Sequence, residues 1–225
     1  MTLKILAFDT STNYCSIALW IDGEILSQNI LAEQRHSELL LPGLQELLVK
    51  SELALVQLDG IAFGAGPGSF TGLRIACGVA QGLAFGADLP VIGISTLEAL
   101  AQQVGSGRVV TAIDARMGEI YHAAYEKIVD DWESVSAPIL CLPKHAPEIS
   151  EDNWIGCGSG FDTYFDELKR HYGKSISHFE VGFIPNARDI AQLAEYRFLQ
   201  GLGVSPMEAT PIYIRNKIAL KENER

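Results

Sequence analysis

Positive charge is scarce in this chain. Lys and Arg number 17 against 28 Asp and Glu, a net charge of −11 over 225 residues. Non-specific affinity for nucleic acid comes mainly from cations that neutralise phosphates, so this balance argues against a protein that grips nucleic acid unaided. Long apolar runs are missing too. Nothing approaches the ~18 apolar residues of a membrane span, and the opening run "LKILAFD" is cut by Asp9, too early for a signal-peptide core. Cysteines Cys15, Cys77, Cys141 and Cys157 lie far apart with no Cys-x-x-Cys pair. The expectation is reduced thiols in a cytoplasmic protein. The histidines His36, His122, His145, His171 and His178 form neither H-x-x-x-H nor H-E-x-x-H, so no metal site is expected. What remains is an ordinary globular composition, 48% hydrophobic, on a chain long enough for one large or two small domains.

The first half opens with three β-like runs. "LKILAFDT" leads to a polar cluster at Asp9–Thr12, and residues 14–21 and 24–31 flank an Asp22-Gly23 hairpin signal. Leucines at helical spacing predict a helix over 36–53, with Pro42 starting or kinking part of it. "LDGIAFGA" reads as a buried strand, "GPGSFTGLR" as a loop entering a helix that runs to about 86, and 89–94 as another strand. Ser95 and Glu98 fit a capping box for a helix at 96–104. After a glycine-rich boundary at 104–108, strands are expected at 109–114, 119–128 and 137–142. A short helix at 143–150, a strand and turn at "NWIGCG", a helix at 160–172 and a short strand at "SHFEVGF" follow. Asn186 then caps a last helix running to about 201. Both halves thus read β-β-β followed by alternating α and β. The expectation is an α/β protein of two similar subdomains, 1–104 and 105–225, each a mixed sheet with helices on its faces. That layout matches the actin-like superfamily, which fixes no function.

Several polar segments could carry chemistry. In Asp9-Thr10-Ser11-Thr12, short side chains and turn amides suit an anion, or else they only stabilise a turn. "GAGPGSFTGLR" is neither a Rossmann fingerprint nor a P-loop. Gly66 and Gly68 shape a turn, and Ser69 or Thr71 can cap the next helix. Its N-terminus could receive an anion with Arg74 one turn in, or simply be a capped helix. Within that helix Gly72, Ala76, Ala80 and Ala84 recur every four residues, and Gly78, Gly82 and Gly86 form a second row. Small rows allow close helix packing, either internal or against a partner. "IGCGSG" at 155–160 is another glycine turn, with Cys157 read as inert. Asp114 beside Arg116 reads as a turn residue before a catalytic acid.

"LAFDTSTNYCSIAL", "GPGSFTGLRIA", "IDARMGEIY" and "PIYIRNKIA" together resemble the TsaB (YeaZ) family of bacterial tRNA threonylcarbamoyladenosine biosynthesis proteins, from about residue 3 to about 219. The resemblance implies the actin-like (ribonuclease H-like) fold and kinship with the catalytic subunit TsaD. TsaD binds metal through H-x-x-x-H; here His36 survives and Leu40 stands where the second ligand belongs. It therefore implies a non-catalytic accessory subunit with no catalytic residue and no metal. Such a subunit pairs with TsaD, is joined by the ATPase TsaE, forms a homodimer when TsaD is absent, and meets tRNA only through the complex. The complex transfers threonylcarbamoyl to adenosine 37 of tRNAs reading codons that begin with A. No cofactor is expected, with ATP or ADP only in the complex. Asp9, Ser11, Thr12, Gly66, Gly68, Ser69, Thr71 and Arg74 stay the anion or nucleotide candidates. The family pairing surface maps to Leu39, Leu40, Leu44, Leu47, Gly72, Ala76, Val79, Ala80 and Leu83. The alternatives are an independent nucleotide-binding enzyme, or a protease acting on its partner.

Overall fold

The computed structural model of the chain describes residues 3–129, 131–150 and 152–215. Lys4–Asp9 (β1), Tyr14–Ile21 (β2) and Glu24–Leu31 (β3) form an antiparallel meander. Asp22 and Gly23 turn β2 into β3 with φ of 49° and 92°, the left-handed pair that a tight hairpin requires. His36–Lys50 (α1), Gly60–Gly66 (β4), Phe70–Ala87 (α2), Val91–Ser95 (β5) and Thr96–Val104 (α3) follow. β4 and β5 add in parallel to β1, giving the order β3-β2-β1-β4-β5.

The second half repeats the plan. Arg108–Arg116 (β6), Glu119–Ile128 (β7) and Asp131–Cys141 (β8) form the meander. Trp154–Cys157 (β9), Ser159–Thr163 (α4), Phe165–Tyr172 (α5), Ile176–Glu180 (β10) and Ala187–Leu199 (α6) complete it. Its order, β10-β9-β6-β7-β8, is the first sheet's succession again. Two mixed sheets of this topology constitute the actin-like arrangement that the element order predicts.

Period-two alternation divides each sheet between two cores. Ile5, Ala7, Ala18 and Trp20 point from the first sheet onto α3 and α6, which also receive Val109, Ala123 and Tyr125 of the second sheet. Leu6, Phe8, Ile17 and Leu19 point the other way, onto α1 and α2. Val110, Ala112 and Ile120 of the second sheet face α4 and α5. The molecule is thus layered, with α3 and α6 between the sheets and a helix pair on each outer face. α6 follows the second sheet in sequence yet packs on β1, β2 and β4 of the first. Among the described residues no helix is long and apolar enough to cross a membrane.

Local differences from expectation have local causes. α1 begins at His36 and runs through Pro42 rather than starting there. Glu98 is drawn to the guanidinium of Arg197 and Ser95 makes no side-chain cap bond, so the capping box does not form. The helix expected at 143–150 shrinks to one 3-10 turn, Pro143–His145, ahead of Pro147, which has no N–H to continue it. The helix at 160–172 breaks at Tyr164 (φ −118°, ψ 35°), whose hydroxyl donates to Asp114 Oδ1 at 3.2 Å. β8 starts at Asp131, ahead of the expected residue 137.

Gly60 of β4 lies directly under the Phe198 ring, where a Cβ would collide with it. Gly60→Val should cost about 1–3 kcal/mol of stability in urea denaturation. An unchanged midpoint would show that α6 can lift off the first sheet without loss.

Candidate functional site: the first turn and the two outer helices

The polar turn after β1 is largely buried, and most of its polar side-chain atoms are bonded within the fold. Asp9 Oδ1 accepts from the Ser11 backbone N–H at 3.0 Å and from its hydroxyl at 2.8 Å. Thr10 Oγ1 donates to the Gly72 carbonyl at 2.7 Å, and Thr12 Oγ1 accepts from the Tyr14 N–H at 3.1 Å. His36, at the first turn of α1, places Nε2 2.9 Å from the Thr12 carbonyl, while Leu40 lies in the apolar core. The Ser11 hydroxyl and the His36 imidazole thus engage the turn itself, and the Thr10 hydroxyl engages the start of α2.

The "GPGSFTGLR" segment closes over this turn. Ser69 N–H donates to the Ser11 carbonyl at 2.8 Å, and Ser69 Oγ caps α2 by accepting from the Gly72 N–H at 3.3 Å. Side chains would not fit at the contact. A Cβ on Gly64 would meet the Asp9 carboxylate, one on Gly68 would meet Ser11, and one on Gly72 would meet the Thr10 carbonyl. Of the anion candidates, Asp9, Ser11, Thr12, Gly68 and Ser69 do gather here, but as an interlocked joint, while Gly66 packs against Leu73 and the Ile212 carbonyl. Thr71 is exposed. Arg74 turns outward, 3.6 Å over the Phe70 ring, and donates through Nε to Tyr213 Oη at 3.1 Å.

Asp9 Oδ2 is buried without a hydrogen-bond partner. Burial drives the Asp9 carboxyl up to about 6, against the two bonds from Ser11 that favour ionisation. A buried carboxyl pressed against Gly64 is poorly placed to hold a metal-bound phosphate. Among the described residues no group of three metal-binding side chains occurs.

The expected pairing surface divides by burial. Leu40, Leu44, Leu47, Gly72, Ala76 and Ala80 are buried within the chain's own core, so the row Gly72-Ala76-Ala80-Ala84 serves internal packing of α2 on the first sheet. Those six are corrected from surface to core; Leu39, Val79 and Leu83 are half-buried at its margin. The opposite phase is exposed. It comprises Gly78, Gly82, Gly86 and Phe85 (74% exposed) on α2, with Leu41 and Val49 (69%) on α1. Nothing lies within 4 Å of a Cβ built on Gly78, Gly82 or Gly86. Gln81 Nε2 donates to the Ala209 carbonyl at 2.9 Å and holds residues 206–209 beside α2. Gly78, Gly82, Phe85, Pro206 and Met207 then line an open groove of about 490 Å³. The Gly78-Gly82-Gly86 row was visible in the helix period, but Phe85 was not singled out and Met207 reaches the groove only through tertiary packing.

Elsewhere the bland readings apply. Asp114 Oδ1 accepts the Arg116 N–H at 2.8 Å as a turn residue does. Cys157 is fully buried, and burial foremost raises its thiol far above the range where a thiolate forms. Gly158 holds φ of 99° with Ala112 packed against it, which leaves that turn no space for a ligand.

The fold and this closed joint define a class: actin-like proteins whose cradle between first hairpin and following helix is filled by their own backbone. The comparisons narrow it. A family model described as TsaD, tRNA N6-adenosine threonylcarbamoyltransferase, matches residues 24–153. The tRNA threonylcarbamoyladenosine biosynthesis protein TsaB of Haemophilus influenzae is 41% identical, covering 98% of this chain and 97% of that protein. TsaB of Escherichia coli is 39% identical, covering 98% of each. The solved structure of YeaZ from Pseudomonas aeruginosa superposes with a TM-score of 0.87 at 36% identity, covering 94% of this chain and 99% of that one. The chain belongs to the TsaB family of tRNA threonylcarbamoyladenosine biosynthesis proteins.

Asp9 gives a pH prediction. Its folded value of about 6 lies above the ordinary 3.8, so the folded state holds this proton more tightly. The resulting stabilisation is full below pH 3.8 and is lost as pH rises through 6, a displacement of about 3 kcal/mol. Asp9→Asn, which cannot ionise, should therefore gain stability relative to the parent between pH 4 and 7 in urea titrations. Parallel profiles would contradict a buried, proton-binding Asp9.

Proposed function

We propose that this chain acts as a non-catalytic accessory subunit in threonylcarbamoyl transfer to adenosine 37 of tRNA, docking the catalytic subunit TsaD through the outer face of α1 and α2. The same face would pair two copies when TsaD is absent. In this reading the 1–104 half carries the docking face, TsaE joins the pair, tRNA is met only through the complex, and the work is cytoplasmic.

One observation carries the reading: the exposed phase of α2 combines an open glycine row with Phe85, and α1 exposes apolar residues of its own, Leu41 and Val49. Each glycine inside a helix costs about 1 kcal/mol relative to alanine. Nothing within the monomer fills the space above Gly78 and Gly82. A close-packed partner helix would offset that cost, with Phe85 and Met207 as apolar flanks of the groove. The inward-bonded hydroxyls of Thr10 and Ser11 and the replacement of a second metal ligand by core residue Leu40 support an accessory over a catalytic role. The independent nucleotide enzyme and the protease gain no such support, because the hydroxyls of Thr10 and Ser11 are bonded within the joint and Cys157 is sealed.

Gly82→Leu separates stability from binding. With open space around it and better helix propensity, the variant should hold or raise thermal stability. Affinity for TsaD should fall ~10–100-fold in calorimetry, as an overpacked close contact costs about 1–3 kcal/mol. Ala76→Leu, by contrast, should destabilise the monomer, since Ala76 is fully buried. Unchanged TsaD affinity in a folded Gly82→Leu chain would remove α2's outer face from the interface.

A further inference from the structure

On the opposite outer layer, an open cavity of about 600 Å³ lies between α5, the 3-10 turn Pro143–His145 and the β6–β7 turn. Helical spacing sets one wall: Glu167, Arg170 and His171 fall on one face of α5 (i, i+3, i+4), while Leu168 and Tyr172 enter the core behind it. Leu142, Pro143 and Lys144 form the facing wall, and Gly118 with φ of 78° edges the third side with nothing within 4 Å of a Cβ. The volume lies in the range of small-ligand sites, which run roughly 300–1,000 Å³.

The charges are what distinguish it. The chain carries 28 carboxylate side chains against 17 Lys and Arg, and several of its cations pair with a carboxylate. Arg108, Arg116, Arg197 and Arg215 each do so, with Glu126, Asp114, Glu98 and Glu119. Lys144 and Arg170 converge on the cavity and, among the described residues, have no ion-pair or hydrogen-bond partner. His171 Nε2 is buried and likewise unpartnered, as is Nδ1 of the fully buried His122. His122 Nε2 lies 2.7 Å from the Tyr172 hydroxyl, and burial followed by the His171 charge drives its imidazole down to about 4. The wall behind the cavity is therefore neutral, and its lining sets two cations, Lys144 and Arg170, against the carboxylate of Glu167.

We propose that this cavity binds a small molecule carrying one phosphate or carboxylate group, the oxyanion received by Lys144, Arg170 and His171 and the remainder lying on Leu142 and Pro143. Arg presents a planar fork to such an oxyanion and Lys a point charge. A nucleic-acid backbone suits the site less well. Tracking one needs an extended basic stripe, and this is a single concavity on a protein of net charge −11. The inference is independent of the docking face on α1 and α2.

The test is a titration of the full chain with inorganic phosphate, a nucleoside monophosphate or acetate at fixed ionic strength, following amide and histidine-ring resonances. Saturable shifts at Gly118, Lys144, Arg170 and His171 are expected, with affinity at least ~10-fold weaker in Lys144→Ala/Arg170→Ala. Lys169→Ala, whose ammonium sits over the Phe165 ring instead, should bind as the parent does. All three substitutions change exposed side chains, and both variants should keep the parent circular dichroism. Tighter binding of the monophosphate or of acetate than of inorganic phosphate identifies the source of the oxyanion. Non-saturating shifts, or equal affinity in the double variant, would leave these cations as complements of the α5 C-terminus and overturn the proposal. So would a double variant that loses tRNA binding while no small anion binds.

Discussion

The structure depends on one close approach, the seating of the first hairpin turn against the start of α2. Gly64, Gly68 and Gly72 fit against Asp9, Ser11 and Thr10 only because they lack a Cβ. Bonds from Ser69 to the Ser11 carbonyl and from Thr10 to the Gly72 carbonyl fasten the joint. Once α2 is held there, its Ala76–Ala80–Ala84 row must face the first sheet, and its Gly78–Gly82–Gly86 row must face out. The joint therefore decides which surface the molecule offers.

That joint is where the sequence placed its first anion candidates. The hydroxyls of Thr10 and Ser11 are bonded within it, and its one acid is buried against a glycine and raised to about 6. Chemistry at that place would need Asp9 uncovered and the loop at 66–69 lifted. The outer helices carry exposed apolar side chains, and among them Phe85 and Val49 remain largely in solvent. The same residues that close the cradle thus build a rigid platform for the helices above it.

Much of this was legible in the sequence, and the reasons for the rest are physical. Strand alternation and the Asp22-Gly23 turn marked β1–β3, because local periodicity and turn chemistry agree there. The duplicated order of elements indicated two like sheets. Tertiary contacts were not legible. Arg197 took Glu98 out of a capping box, and Tyr164 broke a helix to reach Asp114. The small-residue rows of α2 were visible, but their phase was not, since Gly72-Ala76-Ala80 and Gly78-Gly82-Gly86 look equally suited to close packing. Only the position of the sheet assigns the first to the core. The cavity beside α5 was invisible for the same reason: Gly118, Lys144 and Arg170 are brought together by folding, across gaps that no spacing rule spans.

The central claim, that this chain serves through its surface and not through a reaction of its own, is tested most directly by omission. Reconstitution of tRNA, a source of threonylcarbamoyl-adenylate, TsaD and TsaE, with and without this chain, is read as modified adenosine by mass spectrometry. The account predicts product that requires this chain, and none from this chain when TsaD is left out. Equal product without the chain, or product from the chain alone, would contradict it.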